Sequence, residues 1–233
     1  MGALTCRVVE AAEDLELAGR CGRGDDLAAA VARARADVVV DFTRPEAVRA
    51  NALSIVNAGA RPVIGTSGLD AAAIDELARS CAARRLGGLI APNFAIGAVL
   101  MMRLAAIAAR HMSAVEILEA HHPAKRDAPS ATALATADSI AAARGGGLAA
   151  APAADGAARG LHRSGIPIHS TRLPGIVAEQ SVVFGEVGQK LVIEHVAYDR
   201  EAFMPGVLLA CRRVTTLDRL VVGLDRLLLD DSV

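Results

Sequence analysis

Three side chains in one short stretch could hold an acid and move a proton. Residues 119–133 read E-A-H-H-P-A-K-R-D-A-P-S-A-T-A, which brings two imidazoles, His121 and His122, close to one ammonium, Lys125. Histidine titrates near neutrality and suits general acid–base work, and lysine supplies a compact positive charge for a carboxylate. Ser130 and Thr132 add hydroxyl donors just downstream. Residues 114–120 alternate around Val115, Ile117 and Leu118, which predicts a strand leading into this stretch. Beyond it, Pro129 can take the first position of a helix that continues through Leu134, Ala137 and Ile140. The candidate groups therefore fall in a loop just ahead of a helix N-terminus, whose unpaired N–H groups and positive dipole end favour a carboxylate. The pattern suits a small dianionic acid gripped by the helix start and Lys125, with a histidine poised to move a proton. A His-His pair in a loop is also an ordinary surface feature, and D-A-P-S is a routine way to start a helix.

The first half alternates strand and helix. Helical patterns are predicted over residues 4–12, 27–34, 46–57, 69–84 and 96–110, with Pro45 and Asp70 at two of the starts. Strands are predicted over 15–21, 37–42, 61–65 and 86–91, and the β-branched run at 37–42 predicts burial on both faces. Strands separated by helices pair in parallel through right-handed crossovers, giving an α/β fold with a doubly wound, Rossmann-like sheet. In such sheets a ligand lies beyond the carboxyl ends of the strands. D-F-T, G-T-S-G and A-P-N-F fall there, with Gly65 and Gly68 for close backbone approach, hydroxyls on Thr66 and Ser67, and the Asn93 amide.

After Arg144 the chain changes character. Residues 145–165 are rich in Gly and Ala and predict a mobile loop. Strands are expected at 166–172, 177–184 and 190–195, with a hairpin turn at Gly185-Glu186-Val187-Gly188. With the strand at 115–120 they form the mixed sheet of a second, α+β domain. A helix is expected from Asp199 through Val214, and the apolar tail at 217–229 can dock back onto the first domain. The domains are accordingly placed at 1–94 with 205–233 and at 95–204. His169 and His195 are expected to be structural, and Arg159 and Arg172 are weaker candidates for contact with substrate or a neighbouring subunit.

Composition narrows the class. A formal net charge of −1 offers no basic field for nucleic acid or an anionic membrane. Aromatics make up 2% of the chain and Trp is absent, so stacking platforms for single strands are missing. Cys6, Cys21, Cys81 and Cys211 form no C-x-x-C pair, so no metal site is expected and free thiols in a reducing cytoplasm are. Arg and Asp interrupt every apolar run, and the start has no signal-peptide pattern.

The stretch at 119–133 resembles the signature of the dihydrodipicolinate reductase family, E-x-H-H-x-x-K-x-D-A-P-S-G-T-A, with Ala131 where the family has glycine. V-V-V-D-F-T-R-P at 38–45, G-T-S-G at 65–68 and A-P-N-F-A-I-G-A at 91–98 are similar to the family's cofactor-side loops. G-I-P-I-H-S-T-R-L-P-G at 165–175 and F-M-P-G-V-L-L-A at 203–210 are similar to its C-terminal half. The resemblance implies reduction of an unsaturated cyclic dicarboxylate, 4-hydroxy-tetrahydrodipicolinate, to tetrahydrodipicolinate on the route to diaminopimelate and lysine. It implies a nicotinamide dinucleotide held by Gly65, Thr66, Ser67, Ala91, Pro92, Asn93 and Phe94. His121 would be the proton donor, assisted by Lys125; His122 would position one carboxylate, and Ser130, Thr132 and the backbone at Ala131 the other. The resemblance implies that 1–94 with 205–233 bind the dinucleotide and that 95–204 serve the substrate and oligomerisation; family members are usually tetramers, so a homo-oligomer is expected. In Gly22-Arg23-Gly24 no acid precedes Asp25, so Arg23 can face a ribose 2′-phosphate, which favours NADPH over NADH. Met1-Gly2 looks like the end of the family's G-x-x-G-x-M-G loop. The strand that precedes that loop in the family is expected between the strands at 15–21 and 61–65. The rival readings are a catalytically impaired binding or regulatory relative and an imine reductase acting on another amino-acid-derived acid.

Overall fold

The computed structural model describes residues 1–146 and 157–229. The chain divides into two compact units, Met1–Ile96 with Phe203–Val233, and Gly97–Ala202.

The first unit opens with helix α1 (Gly2–Glu10), followed by α2 (Leu27–Ala34), strand β1 (Val38–Asp41), α3 (Pro45–Asn57), β2 (Arg61–Ile64), α4 (Ala71–Arg84) and β3 (Gly88–Ile90). The helix starts have local causes. Asp26 accepts a hydrogen bond from the Ala29 N–H at 3.0 Å, Asp70 does the same for Ala73 at 2.8 Å, and Pro45 occupies the first turn of α3. Val31 of α2, Val48, Ala52, Ile55 and Val56 of α3, and Leu77 and Cys81 of α4 pack with Ile64 and Ile90 in one core. The sheet is parallel, in the order β1-β2-β3-β9, where β9 (Leu220–Val222) comes from the tail.

Two strand expectations are corrected. Residues 15–21 form no strand, although Leu15 and Leu17 alternate in burial with exposed neighbours. Alternation favours an extended backbone, but a ladder also needs a neighbouring strand, and none runs beside this segment among the described residues. The run 37–42 is not buried on both faces either: Val38, Val39 and Val40 are only half-buried, because β1 is the edge of its sheet. Beyond that edge lies a cavity of about 1730 Å³ bordered by α1, residues 14–25 and β1. Both edges of β2 are paired, to β1 and β3, so a further strand has no place directly beside β2; the open edge of the sheet, facing the cavity and residues 14–25, belongs to β1.

The second unit holds α5 (Ile96–Ala108, all but its first residue), β4 (Ala114–His121), α6 (Ala131–Ala143), β5 (Leu161–Arg163), β6 (Ile166–Arg172), β7 (Ala178–Glu186) and β8 (Gln189–Ala197). Its mixed sheet runs β5-β6-β4-β7-β8, with β4 parallel to β6 and antiparallel to β7. Met101 and Ala105 of α5 and Ala133, Ala137 and Ile140 of α6 cover one face and pack on Val115, Ile117, Ile166, Ile168, Val182 and Phe184. The expected loop at 145–165 is interrupted by β5, which pairs with β6; residues 147–156 of that loop lie outside the described residues. The hairpin is tighter than expected, because β7 and β8 pair through Glu186 and Gln189 and leave only Val187-Gly188 in the turn.

The chain then returns to the first unit through a short 3-10 turn (Arg200–Phe203), α7 (Met204–Arg213), β9 and α8 (Asp225–Leu228). The tail therefore supplies both a sheet strand and a helix. Among the described residues no helix is long and apolar enough to cross a membrane.

Candidate active site

Strand β4 sets the geometry of the histidine loop. Side chains two residues apart share a face of a strand. Val115 and Ile117 point into the core under α5 and α6, and Glu119 and His121 continue the same row toward the end of the strand. Glu119 is thus buried, 2% exposed, and cannot be left without partners. Arg172, at the matching end of β6, donates to it twice, Nη1 to Oε2 and Nη2 to Oε1, each at 2.9 Å. The Ser130 N–H donates to Oε1 at 3.2 Å, and His121 Nδ1 lies 2.6 Å from Oε2. Burial acts to raise the Glu119 pKa, but the hydrogen bonds from Arg172, Ser170 and His121 outweigh it and hold the carboxyl below its ordinary value. For His121, burial dominates and lowers the pKa against the favourable Glu119 carboxylate, with Lys125 and Arg172 adding to the lowering.

The loop after β4 is tied to the same pair. Arg172 Nη2 also donates to the Asp127 carbonyl at 2.6 Å, and the Lys125 N–H closes a turn onto the His122 carbonyl at 3.1 Å. The Lys125 ammonium grips both carboxylate oxygens of Asp127, at 2.7 and 2.9 Å. Pro129 does not begin the helix; it follows Ala128 through a cis peptide, and Ser130 is the cap, accepting from the Ala133 N–H at 3.1 Å. Ser130 is 2% exposed, so its hydroxyl oxygen serves the helix start. Ala131 is the first helical residue and is exposed, and Thr132 and His122 are half-buried. The structure therefore gathers His121, His122, Lys125, Ser130, Ala131 and Thr132 on one loop and helix start.

The loops of the first unit converge by different means. Phe42, after β1, meets Phe94, after β3, edge to face with ring centroids 5.6 Å apart. Gly65, after β2, lies against both rings: a Cβ there would come within 2.2 Å of Phe42 and 2.8 Å of Phe94. This crowding is a requirement for glycine in addition to approach by a ligand. Asp41, 4% exposed, accepts from the Thr43 N–H, the Thr43 and Thr66 hydroxyls and the Asn51 amide at 2.6 to 2.9 Å. The Thr66 hydroxyl is thus engaged in holding the loops, and Ser67 stands exposed beside it. Asn93 Oδ1 accepts from the Ala95 N–H at 2.8 Å, and Ala91 pairs with Ile64. Arg23 borders the cavity beside β1, whereas Gly65 to Ser67 and Ala91 to Phe94 lie outside its lining. Gly68 has φ +113° and lies against Pro45, so a bend without a side chain is required there.

Three residues with evident parts were not singled out as site residues from sequence: Glu119, Asp127 and Asp41. Glu119 stands two positions before His121 in a strand, a spacing that itself signals a shared face. Arg172 is a partner of this buried carboxylate, and His169 pairs with Glu116 at 2.9 Å beside Arg159, away from the histidine loop. Among the described residues no group of three His, Cys, Asp or Glu side chains could hold a metal ion.

Known proteins match this arrangement along the chain. Residues 1–94 match the N-terminal part of dihydrodipicolinate reductase and residues 97–228 its C-terminal part. The 4-hydroxy-tetrahydrodipicolinate reductase of Legionella pneumophila (strain Lens) is 49% identical over 231 residues, covering 98% of this chain and 95% of the relative. That of Coxiella burnetii (strain RSA 493 / Nine Mile phase I) is 49% identical over 228 residues, with the same coverage. The solved dipicolinate-bound dihydrodipicolinate reductase from Paenisporosarcina sp. TG-14 superposes with a TM-score of 0.87 at 35% identity, over 97% of this chain and 94% of its own. The fold, the loop that carries His121 and Lys125, and these relatives agree: the chain belongs to the dihydrodipicolinate reductase family.

Proposed function

We propose that this chain reduces 4-hydroxy-tetrahydrodipicolinate to tetrahydrodipicolinate, with His121 as the proton donor and the first unit as the site of the nicotinamide cofactor. The observation that carries the reading is the tether of the His121 ring to buried Glu119, on the loop that also presents Lys125 and the start of α6. The loops after β1, β2 and β3 suit a dinucleotide, since Gly65 and Gly68 keep the backbone there free of side chains, close to Phe42, Phe94 and Pro45. Gly65 to Ser67 and Ala91 to Phe94 would hold the cofactor, and when bound it supplies the hydride. The chain's own residues do the rest. Lys125 exchanges part of its grip on Asp127 for a substrate carboxylate, a charge-assisted contact. His122 and the Thr132 side chain flank that site, and the exposed Ala131 presents the first helical N–H to the second carboxylate. His121 gives a proton to the reduced ring as negative charge develops on it.

Arg23 supports NADPH over NADH: the Asp25 carboxylate accepts from the Gly22 N–H at 2.6 Å within its own turn, which leaves the exposed guanidinium as the side chain facing a 2′-phosphate. A homo-oligomer, with the tetramer as its form, would use the sheet face opposite α5 and α6, where Leu118 and Val192 are exposed. A cytoplasmic setting suits the four unpaired cysteines. A second reading, a relative that binds the acid without turning it over, is favoured by the open edge of β1 beside the cavity.

The purified chain, assayed with 4-hydroxy-tetrahydrodipicolinate and each reduced nicotinamide, separates these readings. We expect loss of reduced-nicotinamide absorbance, a lower KM for NADPH than for NADH, and a fall of about 100- to 10,000-fold in kcat for His121→Ala with cofactor affinity retained. No turnover with measurable dicarboxylate binding would favour the second reading.

A further inference from the structure

The environment of Glu119 dictates which nitrogen of His121 works. Its side chain is fully buried, and it meets Arg172 Nη1 and Nη2 at 2.9 Å, the Ser130 N–H at 3.2 Å and His121 Nδ1 at 2.6 Å, with a further hydrogen bond from Ser170. A carboxylate only accepts, so the ring must bring its hydrogen to Nδ1. A neutral imidazole carries one N–H, so a ring committed to Nδ1–H has Nε2 as the atom that gains and loses a proton. We propose that Glu119 is the positioning residue for His121, holding the ring in the Nδ1–H form so that Nε2 carries the transferred proton. The inference rests on His121 being the proton donor.

Two features give the anchor its stiffness. Glu119 and His121 stand two apart on β4, so both leave the sheet on one face, and the short side chain of Glu119 permits few placements of the ring. Arg172 lies on the neighbouring strand in register with His121, and its second bond, to the Asp127 carbonyl, joins the carboxylate to the loop that carries Lys125. The imidazole and the ammonium are therefore set by one buried anion. In the transfer, the doubly protonated ring gives its Nε2 proton to the substrate, stays protonated at Nδ1 against Glu119, and regains the Nε2 proton from water. The charged groups acting on the ring are Glu119, which favours the imidazolium, and Lys125 and Arg172, which oppose it; Asp127 offsets the Lys125 charge through their ion pair.

The test uses the full chain. Imidazole nitrogen NMR of the wild-type protein should show the neutral His121 ring as the Nδ1–H tautomer; a dominant Nε2–H form would overturn the proposal before any variant is made. In Glu119→Gln the tautomers should mix and the ring should titrate at lower pH. Because a protonated ring is the donor, the alkaline limb of the kcat profile should move to lower pH, with kcat at neutrality reduced at least about tenfold and KM moved less. Glu119→Asp keeps the charge and should recover part of the limb. An unchanged tautomer and limb in a folded Glu119→Gln protein would leave Glu119 a structural residue only. If instead the tautomer shifts as expected while His121→Ala keeps wild-type turnover, the positioning stands and the donor assignment fails.

Discussion

Each unit organises its candidate loops around a buried carboxylate, and the two carboxylates differ in what surrounds them. Asp41 accepts only from neutral dipoles: a backbone N–H, two hydroxyls and an amide. Glu119 accepts from a guanidinium and a backbone N–H and binds an imidazole. An anion ringed by neutral donors fixes shape alone. An anion shared by a permanent cation and a titratable ring fixes shape and also biases protonation. The contrast fits a division of labour in which the cofactor side needs still loops, and the acid–base side needs a ring that changes charge without turning.

Removing the cation should break this contrast most severely. Arg172→Met leaves Glu119 buried opposite no fixed positive charge, and denaturant unfolding should show a loss of about 3–5 kcal/mol. Arg172→Lys should recover only part, since an ammonium cannot reproduce the forked contact. A loss no larger than that of a surface substitution would remove the ion pair from its central place.

Asp41→Asn should cost less, about 1–3 kcal/mol, by turning an acceptor into a donor facing the Thr43 N–H or the Thr66 hydroxyl. Cofactor affinity should weaken while the pH profile of kcat keeps its position, the reverse of the Glu119→Gln pattern. A shifted profile in Asp41→Asn would erase the distinction between the two units.

On the acid–base side, the ring and the carboxylate respond to acid in separate ranges. The His121 pKa is lowered from its ordinary 6.5, so unfolding takes up a proton and stability falls as pH drops through that value toward the folded pKa. The Glu119 pKa is lowered from 4.5, so its contribution is complete above 4.5 and is lost as pH falls through the folded pKa. Unfolding free energy measured along a pH series should therefore decline in two stages on the acid side, and His121→Ala should reduce the first, to which His195, also lowered by burial, contributes. A curve that stays level until the carboxylate range would contradict the burial of the ring.

The smallest effect is expected at Ala131. It is a helical residue and not among those with positive φ, so alanine fits its backbone, and its methyl group is exposed at the helix start proposed to bind a carboxylate. Ala131→Gly should lower the substrate KM a few-fold, with a stability cost of at most about 1 kcal/mol. An unchanged KM would make the substitution neutral.

Much of this was legible in the residues because its causes are local. Pro45 and Asp70 mark helix starts within one turn, and the starts of α3 and α4 follow from them. The order of His121, His122, Lys125 and Ser130 along the chain was likewise enough to place a site between β4 and α6. Where the sequence reading failed, the cause was non-local. Residues 15–21 alternate as a strand does but form no ladder, because pairing depends on a second segment. The valines of β1 look like a buried strand, yet their burial depends on what lies beyond a sheet edge. Pro129 and Ser130 both suit a helix start; Ser130 caps it by accepting from the Ala133 N–H, while its own N–H is held by Glu119, 11 positions upstream.

The sequence by itself determined the family, the alternation of elements and the loop proposed as the acid–base site, since motif order and periodicity are properties of neighbouring residues. The tertiary structure alone decided that Glu119 and Arg172, 53 positions apart, meet as a buried pair, because only the parallel pairing of β4 with β6 aligns their strand ends. It also decided that Lys125 is held by Asp127 and that Thr66 serves Asp41. Burial and register create these contacts, and neither is a property of any one stretch of chain.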